Sequence, residues 1–165
     1  MAKGNSRSWL ALAGFGLATA GAAWYGVRYS RKESRTTRYR GLDQPGFALA
    51  HTGYPIVWTT LYAAMAWSGW RIWSAAPSRE RKHALRLWIT QLATNAKWSK
   101  LFFGEPGPTP SLADVIAFEG MIFSYMRAAR KVDRAAANAF IPYAAWVAFT
   151  AVLNSEIARL HPRRD

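Results

Sequence analysis

The stretch Pro142–Asn154 reads PYAAWVAFTAVLN and lies within a longer run, Ala135–Ile157, that carries a single formal charge, at Glu156. The run is long enough to cross a bilayer, because a hydrocarbon core of about 30 Å takes roughly 20 residues of helix. A span that met only lipid would need nothing beyond Leu, Val and Ile. This one also carries Tyr143, Trp146, Thr150 and Asn154, whose polar atoms need partners inside a bundle. It reads as a membrane helix with one face turned toward other helices or toward a ligand.

Four further segments have a comparable reading. Trp9–Val27, WLALAGFGLATAGAAWYGV, is 19 residues without a charge. It is long for a signal peptide, and Trp24-Tyr25 stands where small cleavage-site residues would be, so it is expected to be a first membrane helix. Its Gly14, Gly16 and Gly21 are expected to let another helix approach closely. A second span is best placed at Tyr54–Trp73, with Arg71 near its end able to snorkel and Pro77 stopping it. A third, Ala84–Phe103, is unusually polar, with Arg86, Gln91, Asn95, Lys97 and Lys100. The turn-forming GEPGPTP follows, and a fourth helix starts at Leu112 and runs into the basic RAARKVDR. The expectation is an all-α integral membrane protein, a five-transmembrane-helix bundle forming a single domain over 1–165. Its helices fall at about 9–27, 54–74, 84–103, 112–128 and 135–158, and residues 28–46 form a basic first loop. The basic residues divide evenly between the two sides, so the positive-inside rule leaves the orientation open.

Composition excludes several classes. A net charge of +13 suggests nucleic acid in a soluble protein; five apolar runs argue against that, and no nucleic-acid partner is expected. The mean hydropathy of −0.11 is low for a membrane protein. Trp and Tyr, which belong at membrane interfaces, score near neutral or polar, and charged loops lower the mean further. The absence of Cys excludes disulfides, thiolate metal sites, covalent haem attachment and cysteine nucleophiles. His51, His83 and His161 share no ligand spacing, so no metal site is expected. No nucleophile with a base and no phosphate loop is visible.

Helical spacing groups the remaining candidates. Trp58, Tyr62 and Met65 share one face of the second helix, and Gln91, Asn95 and Trp98 one face of the third. Tyr143, Trp146 and Thr150 line the fifth, with Phe149 beside them and Asn154 a turn on. Brought together, these faces would wall a cavity with aromatic rings and a few hydrogen-bonding groups, the composition of a small-molecule site for a planar conjugated ligand. The plainer reading is packing, with Asn95 and Asn154 bonding between helices and Trp67, Trp70 and Trp73 packing or anchoring at the interface. Asp114 reads as a helix-start carboxylate; Glu119 is deeper, either paired with Lys97 or protonated.

Three segments resemble the tryptophan-rich sensory protein and translocator protein family (TspO/MBR, including the peripheral-type benzodiazepine receptor). PIVWTTLYAAMAWSGWRIW, Pro55–Trp73, is similar to its second helix, and QLATNAKWSKLFFG, Gln91–Gly104, to its QLxxNxxWxxxFFG pattern. PYAAWVAFTAVLN is similar to its PYxxWxxFAxxLN signature. LADV at Leu112–Val115 and KVDRAAANAFIPY fall in the family's order, so the resemblance covers about residues 38 to 160. There are departures. Where the family's first loop has WYxxLxKPxWxPP, this chain has RYRGLDQPGFALA, keeping Tyr39, Leu42 and Pro45 but not the paired prolines. That loop is thought to lid the family's cavity, so a less rigid lid is expected here. Ser99-Lys100 stand where many members have prolines, Thr150 where Ala is usual, and LNSEIARL lacks the Tyr of the cholesterol motif of many animal members.

The resemblance implies a porphyrin such as protoporphyrin IX as ligand, with no obligatory cofactor. Trp58 and Trp146 match family positions associated with porphyrin binding and light-dependent porphyrin breakdown. An enzymatic role would then be Trp-assisted photo-oxidative degradation, with those two as its catalytic residues. The implied ligand-binding set adds Phe47, Tyr54 and Phe102 to Trp58, Tyr62, Met65, Gln91, Asn95, Trp98, Tyr143, Trp146, Phe149 and Thr150. A homodimer is implied, in contact with membrane lipid, in a bacterial cell membrane or a eukaryotic organelle membrane. Two alternatives stand beside this: a sterol or lipid carrier or transporter using the same cavity, and a membrane scaffold with no ligand.

Overall fold

In the computed structural model the backbone is described over residues 2–33, 53–103 and 112–160, and side chains over 8–28, 55–97 and 114–152. These residues form helices and no strand: α1 (Ala2–Glu33), α2 (Gly53–Ser74), α3 (Arg79–Phe103), α4 (Leu112–Arg130), the short α5 (Arg134–Asn138) and α6 (Ile141–Leu160).

Local chemistry sets the boundaries. Beyond α2, Pro77 can supply no backbone donor. Ser78 opens α3, its hydroxyl accepting the N–H of Arg81 at 3.0 Å. After α4 the chain tightens, with the N–H groups of Val132 and Asp133 both bonding the Ala129 carbonyl. Asp133 then caps α5: its backbone is extended, and its side chain accepts the N–H of Ala136 at 2.9 Å. The apolar run Ala135–Ile157 is not one unbroken helix; it divides at Ala139–Phe140. Pro142 explains the break, because its ring would meet the preceding turn of a continuous helix, whereas in the first turn of α6 its missing N–H costs nothing.

The core is assembled from spaced faces. α2 contributes Leu61, Met65, Ser68 and Ile72, and α4 contributes Phe118, Ile122, Tyr125 and Ala129; each set follows a 4, 3, 4 spacing. α3 adds Ala84, Trp88, Leu92 and Asn95, while Phe140, Tyr143 and Val147 close the core from the α5–α6 side. The other faces are apolar and exposed: Leu17 on α1, Ile56 on α2, Ile89 on α3, Ile116 on α4 and Val152 on α6 are each at least 60% exposed. Such an exterior suits lipid. Two segments, Ser8–Arg28 and Arg134–Val152, are long and apolar enough to cross a bilayer. Only 11% and 33% of them are buried, unlike the core helix of a soluble protein.

The close approach of helices does not occur at the expected glycines of α1. Nothing lies within 4 Å of a Cβ built at Gly14, Gly16 or Gly21. It occurs at Gly69 of α2, where an added Cβ would stand 2.7 Å from both Phe15 and Trp88. The Phe15 ring meets Trp88 edge-on at 4.8 Å, so α1 seats on the α2–α3 pair through one missing side chain.

Candidate functional site

The stripes on α2, α3 and α6 meet in the half of the bundle toward Gly53 and Leu160. At the centre lies a hydrogen-bonded chain. The Tyr62 hydroxyl donates to Asn95 Oδ1 at 2.7 Å, and the Asn95 amide donates to the Tyr143 hydroxyl at 2.6 Å. Gln91 Nε2 donates to the same hydroxyl at 3.0 Å. Tyr143, Gln91 and Asn95 are all buried, so each partner replaces water that the core excludes.

Over this polar floor stands an aromatic rim. Trp58 packs on Tyr62 with centroids 5.6 Å apart, and meets Trp146 edge-to-face at 6.3 Å. Trp146 in turn lies 5.4 Å from Phe149. Trp58, Trp146, Phe149 and Thr150 are half-buried. The rim is therefore reachable while the floor is not. Thr150 donates its hydroxyl to the Val147 carbonyl at 2.8 Å, so its polarity is spent within α6. Met65 is buried below Tyr62, and its carbonyl accepts the Trp88 indole N–H at 3.0 Å. Phe47 and the side chains of Tyr54, Trp98, Phe102 and Asn154 lie outside the described residues.

Glu119 does not pair with Lys97. Both its carboxylate oxygens are buried and have no hydrogen-bond partner among the described residues, and Gln91 Oε1 is in the same condition. Among the described residues an ion pair forms instead at Arg71, expected to reach the interface. Arg71 Nη2 lies 2.6 Å and its Nε 2.9 Å from Asp133 Oδ2, with the guanidinium 5.3 Å from the Trp67 ring. Burial alone would push the Asp133 carboxyl up. The Ala136 N–H and the Arg71 guanidinium outweigh it and hold the group below its ordinary value of 3.8.

Spacing arguments missed Ser68 and Tyr125. Ser68 donates to the Ala136 carbonyl at 2.7 Å, which leaves its oxygen to accept the Tyr125 hydroxyl at 2.6 Å. Extending the stripe Trp58, Tyr62, Met65 by one more turn lands on Ser68, so the signal is present. At the opposite end of the bundle, α3 and α4 leave a groove of about 590 Å³ between Arg79 and Lys131. None of the expected ligand-binding residues lines it.

Comparison with known proteins shows where the chain belongs. The TspO/MBR family profile matches residues 12–160. The chain is 33% identical over 148 residues to the translocator protein of Ovis aries, covering 88% of this chain and 87% of that one. It is 30% identical over 131 residues to the tryptophan-rich protein TspO of Chlorobaculum tepidum, covering 75% and 79%. It is 30% identical over 126 residues to the tryptophan-rich sensory protein of Cereibacter sphaeroides, covering 76% and 78%. The profile spans most of the sequence and takes in every stripe that builds the floor and rim; the chain is a helical membrane protein and belongs to the TspO/MBR family.

Proposed function

We propose that the chain is a five-span membrane bundle that receives porphyrins of the protoporphyrin IX type at the Trp58–Trp146 rim, and acts as a homodimer to sense, sequester or photodegrade them. The observation that carries this reading is the half-buried indole pair, 6.3 Å apart and nearly perpendicular, standing over a buried polar floor. One indole offers a face for stacking and the other an edge, which suits a wide conjugated disc. The floor keeps its hydrogen bonds among Tyr62, Asn95, Tyr143 and Gln91, so a ligand on the rim need not break them. In a light-dependent reaction the ligand supplies the excited state, and Trp58 and Trp146 are the aromatic groups that touch it.

Titration of protoporphyrin IX into the detergent-solubilised protein, followed by Trp quenching, tests the reading. Saturable quenching is expected, weakened in Trp58→Phe and Trp146→Phe. Unchanged affinity in both variants would misplace the site, and absence of saturable binding would leave the rim as packing. Illumination should bleach the porphyrin band faster in the complex than in free solution; equal rates would remove the degradative role.

A further inference from the structure

We infer that the groove between α3 and α4 is a headgroup site for an anionic phospholipid, at the end of the bundle opposite the aromatic rim. Arg79, His83 and Leu87 line it at every fourth residue of α3; Ser124 and Arg127 face them from α4, and Lys131 from the turn just after it. Its volume of about 590 Å³ falls within the range of small-molecule sites. Glu80 is the one acidic residue in the lining. Among the described residues the ion pair formed is Arg71–Asp133, so Arg79, Arg127 and Lys131 carry their charge toward the groove without a carboxylate bound to it. Three cations around an apolar floor at Leu87 and Ala128 match a phosphate joined to hydrocarbon.

The surroundings favour a lipid over free phosphate. Ile116 and Phe123, 62% and 52% exposed, lie on the stripe of α4 that leads to Arg127, giving acyl chains an apolar track away from the headgroup. At the same end, Arg71 and Arg81 stand over the rings of Trp67 and Trp73, at 5.3 and 5.8 Å from the centroids. Aromatic rings with cations at the ends of membrane helices mark the headgroup level.

The test uses the full chain exchanged into equal amounts of phosphatidylglycerol and phosphatidylcholine, with retained lipid counted by native mass spectrometry. The wild type should retain phosphatidylglycerol selectively. Arg127→Gln combined with Lys131→Gln should cut that retention by at least about tenfold, because each basic residue near an anionic headgroup contributes separately. Arg28→Gln, at the far end of α1, should not. Equal retention of the two lipids, or the same loss in Arg28→Gln, would overturn the assignment. Displacement of the lipid by inorganic phosphate would also overturn it in favour of the free anion. A diazirine-bearing phosphatidylglycerol added to the wild type should label peptides of α3 and α4 around His83 and Ser124; labelling elsewhere would refute the site without any variant.

Discussion

The hydroxyl of Tyr143 accepts a 2.6 Å hydrogen bond from the Asn95 amide and so ties α6 to α3 inside the core. The same oxygen takes the Gln91 amide, so two buried amide groups share one acceptor. Tyr143→Phe keeps the ring and removes the acceptor. It should destabilise the protein by about 1–2 kcal/mol, the cost of leaving buried donors unmatched where water is excluded. Thermal unfolding in detergent measures this, and a variant as stable as the wild type would show that the chain of bonds carries no weight.

Gly69 and Gly14 make an opposed pair. Gly69→Ala forces a methyl within 2.7 Å of Phe15 and Trp88, on opposite sides of the α1 interface. Overpacking of this kind costs about 1–3 kcal/mol. Gly14→Ala meets nothing within 4 Å and should be neutral or stabilising by up to about 1 kcal/mol, through helix propensity alone. Parallel melting curves decide it, and the reverse order would refute the helix contact at Gly69.

Asp133 gives acid stability a direction. Its carboxyl is held below 3.8 in the folded protein, so its contribution is fully present above that value. The contribution declines as pH falls past 3.8 and is lost below the lowered folded value. Asp133→Asn keeps a side-chain oxygen for the α5 cap but loses the charge that Arg71 holds. It should melt lower at neutral pH and show a shallower loss of melting temperature on acidification. Identical acid profiles for the two proteins would exclude the pair as a source of stability.

Thr150 alters the rim by volume. Its hydroxyl is already bonded to Val147 within α6, so Thr150→Ala and Thr150→Ser should behave alike toward protoporphyrin IX. Both remove the methyl, and both should bind it a few-fold more tightly. A gain with Ala and none with Ser, read by Trp quenching, would return the effect to polarity.

The stripes on α2, α3 and α6 are legible in the sequence because a helix repeats its face every three to four residues, and Trp58, Tyr62, Asn95, Tyr143 and Trp146 keep that spacing. What spacing lacks is rotation. Whether Gly14 or Gly69 meets a neighbour depends on how each helix is turned about its axis, which no single helix encodes. The missing Lys97–Glu119 pair has the same cause. The split between α5 and α6 is legible at Pro142 only when the proline is read for its missing donor; an apolar, nearly uncharged run hides it. Asp133 pairs with a residue in a distant helix, and charge patterns along one helix do not reveal such a partner.

Three bonds converge on the Asp133 carboxylate, two from the end of α2 and one from the start of α5. Those two helix ends are thereby one body, and Phe140, packed on Tyr125 and Tyr143, extends that body to the first turn of α6. A clamp at one end of the α2–α6 pair sets the register between the two helices, and with it which side chain of α6 stands opposite Trp58.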